Sequence, residues 1–230
     1  MIGLEDLCKI KGGDKKFIRY LKRINLEIEE DYPEFISVLY ADLDDISYNF
    51  NKNPQRRAED TEDRLTDEIV SALNLLGYTA DHDRESGGHV DVTVELGSHS
   101  WIGEAKIHQG PAYLYEGFLQ LATRYRPASG NWKHNHGGML IYIQKQKNAA
   151  KLKQEWKDHL ACKFVEQGEA IEFADCKNNI FAFNSTHNHE ISGLEFIVRH
   201  IPFLLTHEPK DKSGRNRKPR KPRATSKKTT

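Results

Sequence analysis

The stretch from Val90 to Ile107 most constrains what this chain can fold into. Val90, Val92 and Val94 alternate with Asp91, Thr93 and Glu95, Gly97 to His99 read as a turn, and Trp101 to Ile107 runs back as a second apolar segment. A period of two puts alternate side chains on opposite faces of a strand. Two such runs joined by a short turn predict a β-hairpin. Just upstream, from Asp60 to Leu76, the residues Leu65, Ile69, Ala72, Leu73 and Leu76 share one stripe at helical spacing, and Gly77 is placed to end that helix. Downstream, the patterning predicts a helix from Ala112 to Tyr125 ended by Pro127 and Gly130, and a buried strand over Met139 to Ile143. It then predicts an amphipathic helix over Ala149 to Leu160, strands near Ala170 to Phe173 and Ile180 to Phe183, and a further element across Leu194 to Leu205. This order of elements belongs to an α/β sandwich with a mixed central sheet.

Ahead of that core, residues 1 to 57 read as an N-terminal helical extension. Phe17, Leu21, Ile24 and Ile28 recur at three- and four-residue intervals, which predicts two or three short helices, with Pro33 at a break and Asn51 to Pro54 as a turn-like link. The main domain is expected over residues 58–207 and a basic tail over 208–230. At 230 residues the chain has room for one good core but not for a second large domain.

Charge is balanced overall, with 34 basic and 34 acidic residues, but unevenly spread. From Pro209 to Thr230 ten Lys or Arg face Asp211 alone, so the tail carries about +9 and the body about −9. Arg215, Arg217, Lys218, Arg220, Lys221 and Arg223 form the densest part of the tail, where Pro, Ser and Thr are interspersed and apolar residues are almost lacking. Such a segment has too little to bury for a core of its own, and its charge suits phosphate contacts with nucleic acid. Cys8, Cys162 and Cys176 are odd in number and lack CxxC spacing, which disfavours a disulfide framework or a thiolate zinc site and fits a reducing cytoplasmic setting. No apolar run nears the roughly 20 residues of a membrane span, and Met1 to Gly13 lacks the apolar stretch of a signal peptide.

The chemistry sits on the hairpin. Glu104 and Lys106, two apart on one strand, point to the same face, and Asp91 on the preceding strand can lie beside Glu104. Two carboxylates held together repel unless a cation shares the space, and hard oxygen donors suit Mg²⁺, with Mn²⁺ able to substitute. A lysine at their flank can align or help deprotonate a water and offset charge on a pentavalent phosphate. That equipment fits metal-assisted phosphodiester hydrolysis. The bland alternative is a solvated hairpin face with a cross-strand ion pair.

Asp91, a twelve-residue spacer and then Glu104-Ala105-Lys106, flanked by an upstream helix and by a downstream helix carrying Gln120, resembles the PD-(D/E)XK nuclease superfamily, which includes restriction endonucleases, Mrr-like enzymes and Holliday junction resolvases. The resemblance spans residues 58 to 145. It implies a restriction-endonuclease-like α/β/α fold and a metal-dependent nuclease acting on DNA, in defence against foreign DNA or in repair, and commonly dimeric. It also implies that Asp91 and Glu104 bind the metal, that Lys106 assists the attacking water, and that Glu62 or Glu68 adds a ligand. On a helical wheel Glu62 lies roughly 35° from the centre of the apolar stripe and Glu68 roughly 85° away, which favours Glu62. His89-Val90 stands where the family name has proline before the aspartate. Gln120 with Arg124 and Tyr125 is similar to a glutamine-and-tyrosine motif with one extra residue between the two, and Gln120 could steady the nucleophilic water or a DNA phosphate. The same features would suit an inactive member serving as a DNA-binding or assembly subunit. His134, His136, His187 and His189 are candidate zinc ligands, and His82, His89 and His108 candidate accessory bases, although ordinary loop histidines explain both sets.

Overall fold

The computed structural model describes residues 15–85, 89–123, 135–190 and 192–209. Arg124, Tyr125, Pro127, Gly130, His134 and the six basic tail residues named above lie outside the described residues, and the side chain of His89 is not described.

Two helices come first, α1 (Lys15–Leu26) and α2 (Tyr32–Asn51). Asp31 starts α2: its side chain accepts from the Glu34 N–H at 3.0 Å, and Pro33 sits in the first turn, where its missing N–H costs nothing. A 3-10 turn (Pro54–Arg56) leads to α3 (Glu62–Leu75), capped by Thr61 and left through Gly77 at φ +97°. There follow β1 (Thr79–Glu85), β2 (His89–Leu96), β3 (His99–Ile107), α4 (Pro111–Thr123), β4 (His136–Ile143), α5 (Ala149–Gln167), β5 (Ile171–Asp175), β6 (Phe183–Asn188) and β7 (Glu195–Leu204).

The strands form one sheet in the order β1-β2-β3-β4-β7-β6-β5. β3, β4 and β7 run parallel to one another, and antiparallel pairs complete both sides, so the sheet is mixed. Along β4 the two faces separate cleanly. Leu140 and Tyr142 enter a core with α2 and α3, whereas Met139, Ile141 and Ile143 enter a second core with α4 and α5. The result is an α/β/α sandwich.

Residues 15–51 form part of one outer layer. Phe35, Leu39, Leu43, Ile46 and Phe50 of α2 are buried in the core that holds Ile201 and Phe203 of β7. Each such side chain contributes roughly 1.5–3 kcal/mol. Ser47 donates to the Pro202 carbonyl and Asn51 accepts from Leu204 N–H, both at 2.8 Å, which ties α2 along β7.

Three elements differ from the sequence expectation. β1, Thr79 to Glu85, is a polar edge strand with β2 as its one strand neighbour among the described residues, and it has no apolar alternation to betray it. β6 begins at Phe183 rather than Ile180, because Asn179 makes the turn: its carbonyl accepts from Ala182 N–H at 3.0 Å and its side chain from Phe181 N–H, leaving Ile180 71 % exposed. α5 continues past Leu160 to bury Phe164 and stops where Gly168 adopts φ +75°.

Candidate active site

β2 and β3 part company at Asp91. β2 is paired to β3 from Leu96 back to Val92, yet stays paired to β1 as far as His89. Beyond that fork two N–H groups of β3 are taken by carboxylates instead. Asp91 Oδ2 accepts from Ala105 N–H at 2.8 Å, and Glu62 Oε2, from the first turn of α3, accepts from Ile107 N–H at 2.6 Å. Backbone groups beside the β2 strand thus fix two acids on one side of β3.

Glu104 and Lys106 share the face of β3 that looks toward α4, as their two-residue spacing requires. Lys106 Nζ lies 2.5 Å from Glu104 Oε1, 3.5 Å from Asp91 Oδ2 and 3.7 Å from Glu62 Oε1. One ammonium therefore sits among three carboxylates drawn from α3, β2 and β3. Glu104 is 1 % exposed, and its Oε2 accepts no hydrogen bond among the described residues. Glu62 and Asp91 keep contact with solvent.

Burial dominates the electrostatics. It pushes the Glu104 carboxyl up to about 8, with Asp91 adding to the rise and Lys106 opposing it. Burial likewise raises Glu62, against the pull of the Ile107 N–H and Lys106. For Lys106 burial acts downward, but the carboxylates of Glu104, Asp91 and Glu62 outweigh it and hold the ammonium above its ordinary range.

Of the two glutamates on α3, the structure brings Glu62 to the cluster and not Glu68. Glu68 forms a two-point pair with Arg57, one arm at 3.0 Å. Gln120 of α4 lines a cleft beside Lys106. His82 binds Asp67 of α3 at 2.7 Å, and His108 is buried near Leu114 and Trp156, where burial lowers its pKa. His187 packs on Phe118 and Phe164, whereas His189 bonds to Ser192. Among the described residues no group of three or more His, Cys, Asp or Glu side chains is set to hold a metal ion as it stands, zinc included. In the acidic cluster the Lys106 ammonium takes the central place.

Comparison of the chain with protein-family models, with curated proteins and with solved structures finds no match. The functional reading therefore rests on the geometry of the site.

Several supporting residues gave no sequence signal. Thr66 donates to the Glu62 carbonyl at 2.8 Å and meets the buried Tyr142 hydroxyl at 2.9 Å, which pins the first turn of α3 to β4. Gln144, just past β4, donates to the carbonyls of Arg57 and Asp60 at 3.0 and 2.7 Å and so holds the loop that delivers Glu62. Gly117 lets α4 rest on the site. A Cβ there would stand 2.9 Å from Lys106 Cγ, 3.1 Å from Lys106 Cε and 3.3 Å from Glu104 Cγ. A helical glycine normally reads as a weak point, yet here only glycine leaves room for the lysine stem.

Proposed function

We propose that this chain is a metal-dependent nuclease of the PD-(D/E)XK type with a restriction-endonuclease-like core, hydrolysing phosphodiester bonds of DNA. One observation carries the reading: three carboxylates from three elements converge on a lysine where two strands fork. Acids gathered in this way cost stability, and the buried Oε2 of Glu104 accepts no hydrogen bond among the described residues. A catalytic role explains the cost.

The donor set fits a hard divalent ion. Its oxygens are all carboxylate, with no thiolate among them, so Mg²⁺ or Mn²⁺ would be held by Asp91, Glu104 and Glu62. Such an ion would neutralise charge on the phosphodiester and favour ionisation of a water. The remaining work belongs to the chain. Asp91 and Glu62 are oriented by backbone N–H groups before any substrate arrives. Lys106, relieved of its carboxylate partners, donates a hydrogen bond to the incoming water or to a phosphate oxygen. Gln120 offers an amide from the opposite wall. Water adds to phosphorus and gives up a proton, the bond to the leaving sugar oxygen breaks, and that oxygen takes up a proton in exchange.

The close Lys106–Glu104 pair is also what a structural ion pair would show, which favours an inactive DNA-binding or assembly subunit as the second reading. Incubation with plasmid, linear and branched DNA in Mg²⁺, Mn²⁺ or EDTA separates the two. Cleavage that requires metal is expected. DNA retention without cutting under every metal condition overturns the nuclease and leaves the subunit.

Gly117→Ala is expected to lower cleavage about ten-fold or more while changing stability little. Overpacking costs roughly 1–3 kcal/mol, and alanine returns about 1 kcal/mol of helix propensity, so the displaced Lys106 and Glu104 carry most of the effect. Unchanged turnover would show that the close approach of α4 has no catalytic role. Deleting residues 209–230 is expected to weaken DNA binding and to flatten its dependence on salt, by about 0.9 in log–log slope for each phosphate no longer neutralised. An unchanged slope would remove the tail from the DNA interface.

A further inference from the structure

The described residues that line the cleft on the α4 side of the site are unsuited to a phosphate backbone. The cleft encloses about 530 Å³ between Lys106 and the helix residues Tyr113, Glu116, Leu119, Gln120 and Thr123, within the roughly 300–1,000 Å³ typical of small-molecule pockets. Because Gly117 seats α4 on Lys106, Tyr113 one turn earlier and Gln120 one turn later flank the lysine. Among the described residues of the lining, the single cation belongs to the acidic cluster, and Glu116 adds a negative charge that opposes phosphates along this wall.

The other groups are an aromatic ring, an aliphatic side chain, an amide and a hydroxyl. Tyr113 is 38 % exposed and stands outside both cores. A ring face beside groups that donate and accept hydrogen bonds is the chemistry that recognises a nucleobase by stacking and by its edge. A base inside a duplex has both faces covered by its neighbours and cannot stack on a protein ring unless it leaves the helix.

We propose that this cleft holds the base of an unpaired nucleotide next to the scissile phosphate, stacked on Tyr113. The favoured substrates are then single strands, flaps or junctions rather than continuous duplex. The proposal rests on the nuclease reading for the location of the scissile bond, but base binding is measurable without cleavage.

The test uses the full chain in EDTA with oligonucleotides carrying 2-aminopurine at an unpaired or a paired position. The expected result is fluorescence quenching and tighter binding for the unpaired probe. Tyr113→Ala should weaken that binding roughly 5- to 100-fold, and Tyr113→Phe should retain it. In Mg²⁺ the alanine variant should raise KM for flapped DNA while leaving kcat within a few-fold. Equal binding of paired and unpaired probes, with no effect of Tyr113→Ala, overturns the base pocket even if metal-dependent cleavage is observed. Binding strengthened by Glu116→Lys but indifferent to Tyr113→Ala would show that phosphates occupy the cleft, and also overturns it. Tyrosine-dependent binding of the unpaired probe without cleavage in any metal sustains the pocket and sinks the nuclease.

Discussion

Asp91→Asn is expected to abolish metal-dependent cleavage, by on the order of 10²–10⁴-fold, with the fold intact. The substitution keeps the shape of the side chain, and its amide oxygen can still accept from Ala105 N–H, the bond that Asp91 makes at 2.8 Å. What is lost is one of the negative charges around Lys106. Loss of that charge eases the crowding of carboxylates, so thermal stability in EDTA should stay level or rise. Added Mg²⁺ should raise the melting temperature of the unsubstituted protein and not that of the variant. Residual cleavage near the original rate would remove Asp91 from the chemistry. A collapse of stability would make its ion pair with Lys106, rather than metal binding, the reason for its presence.

Lys106→Ala carries the second large effect, this time on stability. Glu104 is 1 % exposed and Lys106 is its nearest cation, at 2.5 Å. Above about pH 8, where Glu104 is ionised, removing its partner from the buried pair costs about 3–5 kcal/mol, because the carboxylate charge is left without compensation. The pH dependence has a definite sign. Glu104 has an ordinary value of 4.5 and a folded value of about 8, so between those limits the folded protein binds more protons than the unfolded chain. Its contribution is most favourable below 4.5 and is lost as pH rises through 8. Lys106 moderates that loss, since it is the cation opposing the rise. The deficit of Lys106→Ala in urea unfolding, measured in EDTA, should therefore be smaller at about pH 5 than at about pH 8.5. A deficit independent of pH would mean that packing of the lysine stem against α4, rather than charge, accounts for it. Partial rescue by Mg²⁺ at the higher pH is also expected.

Which features could be read from the chain follows from how local their causes are. The Val90–Val94 alternation, the turn before Trp101 and the stripe on α3 each record burial within a few residues, and β2, β3 and α3 lie where those patterns point. The two-residue spacing of Glu104 and Lys106 settles their common face in the same way. β1 was invisible because it is a polar edge strand, and β6 was displaced because Ser185 and His187 occupy buried positions usually filled by apolar residues. Ser185 reaches burial by bonding His200 at 2.9 Å, a partner fifteen positions away. Longer separations hide the supports of the acidic cluster. Thr66 meets Tyr142 across the interface between α3 and β4, and the role of Gly117 exists only once α4 lies on β3. Glu62 was separable from Glu68 by its angle on the helix, but the Arg57 pair that draws Glu68 aside arises from an adjoining loop.

The proposed nuclease requires that Glu62, Asp91 and Glu104 exchange the Lys106 ammonium for a divalent cation. The most direct measurement is anomalous scattering from a crystal of the full chain soaked in Mn²⁺. A peak in contact with the carboxylate oxygens of Asp91 and Glu104, with the lysine moved aside, is the expected result. Saturating Mn²⁺ that leaves Lys106 bound to Glu104 and gives no peak between these residues would contradict it.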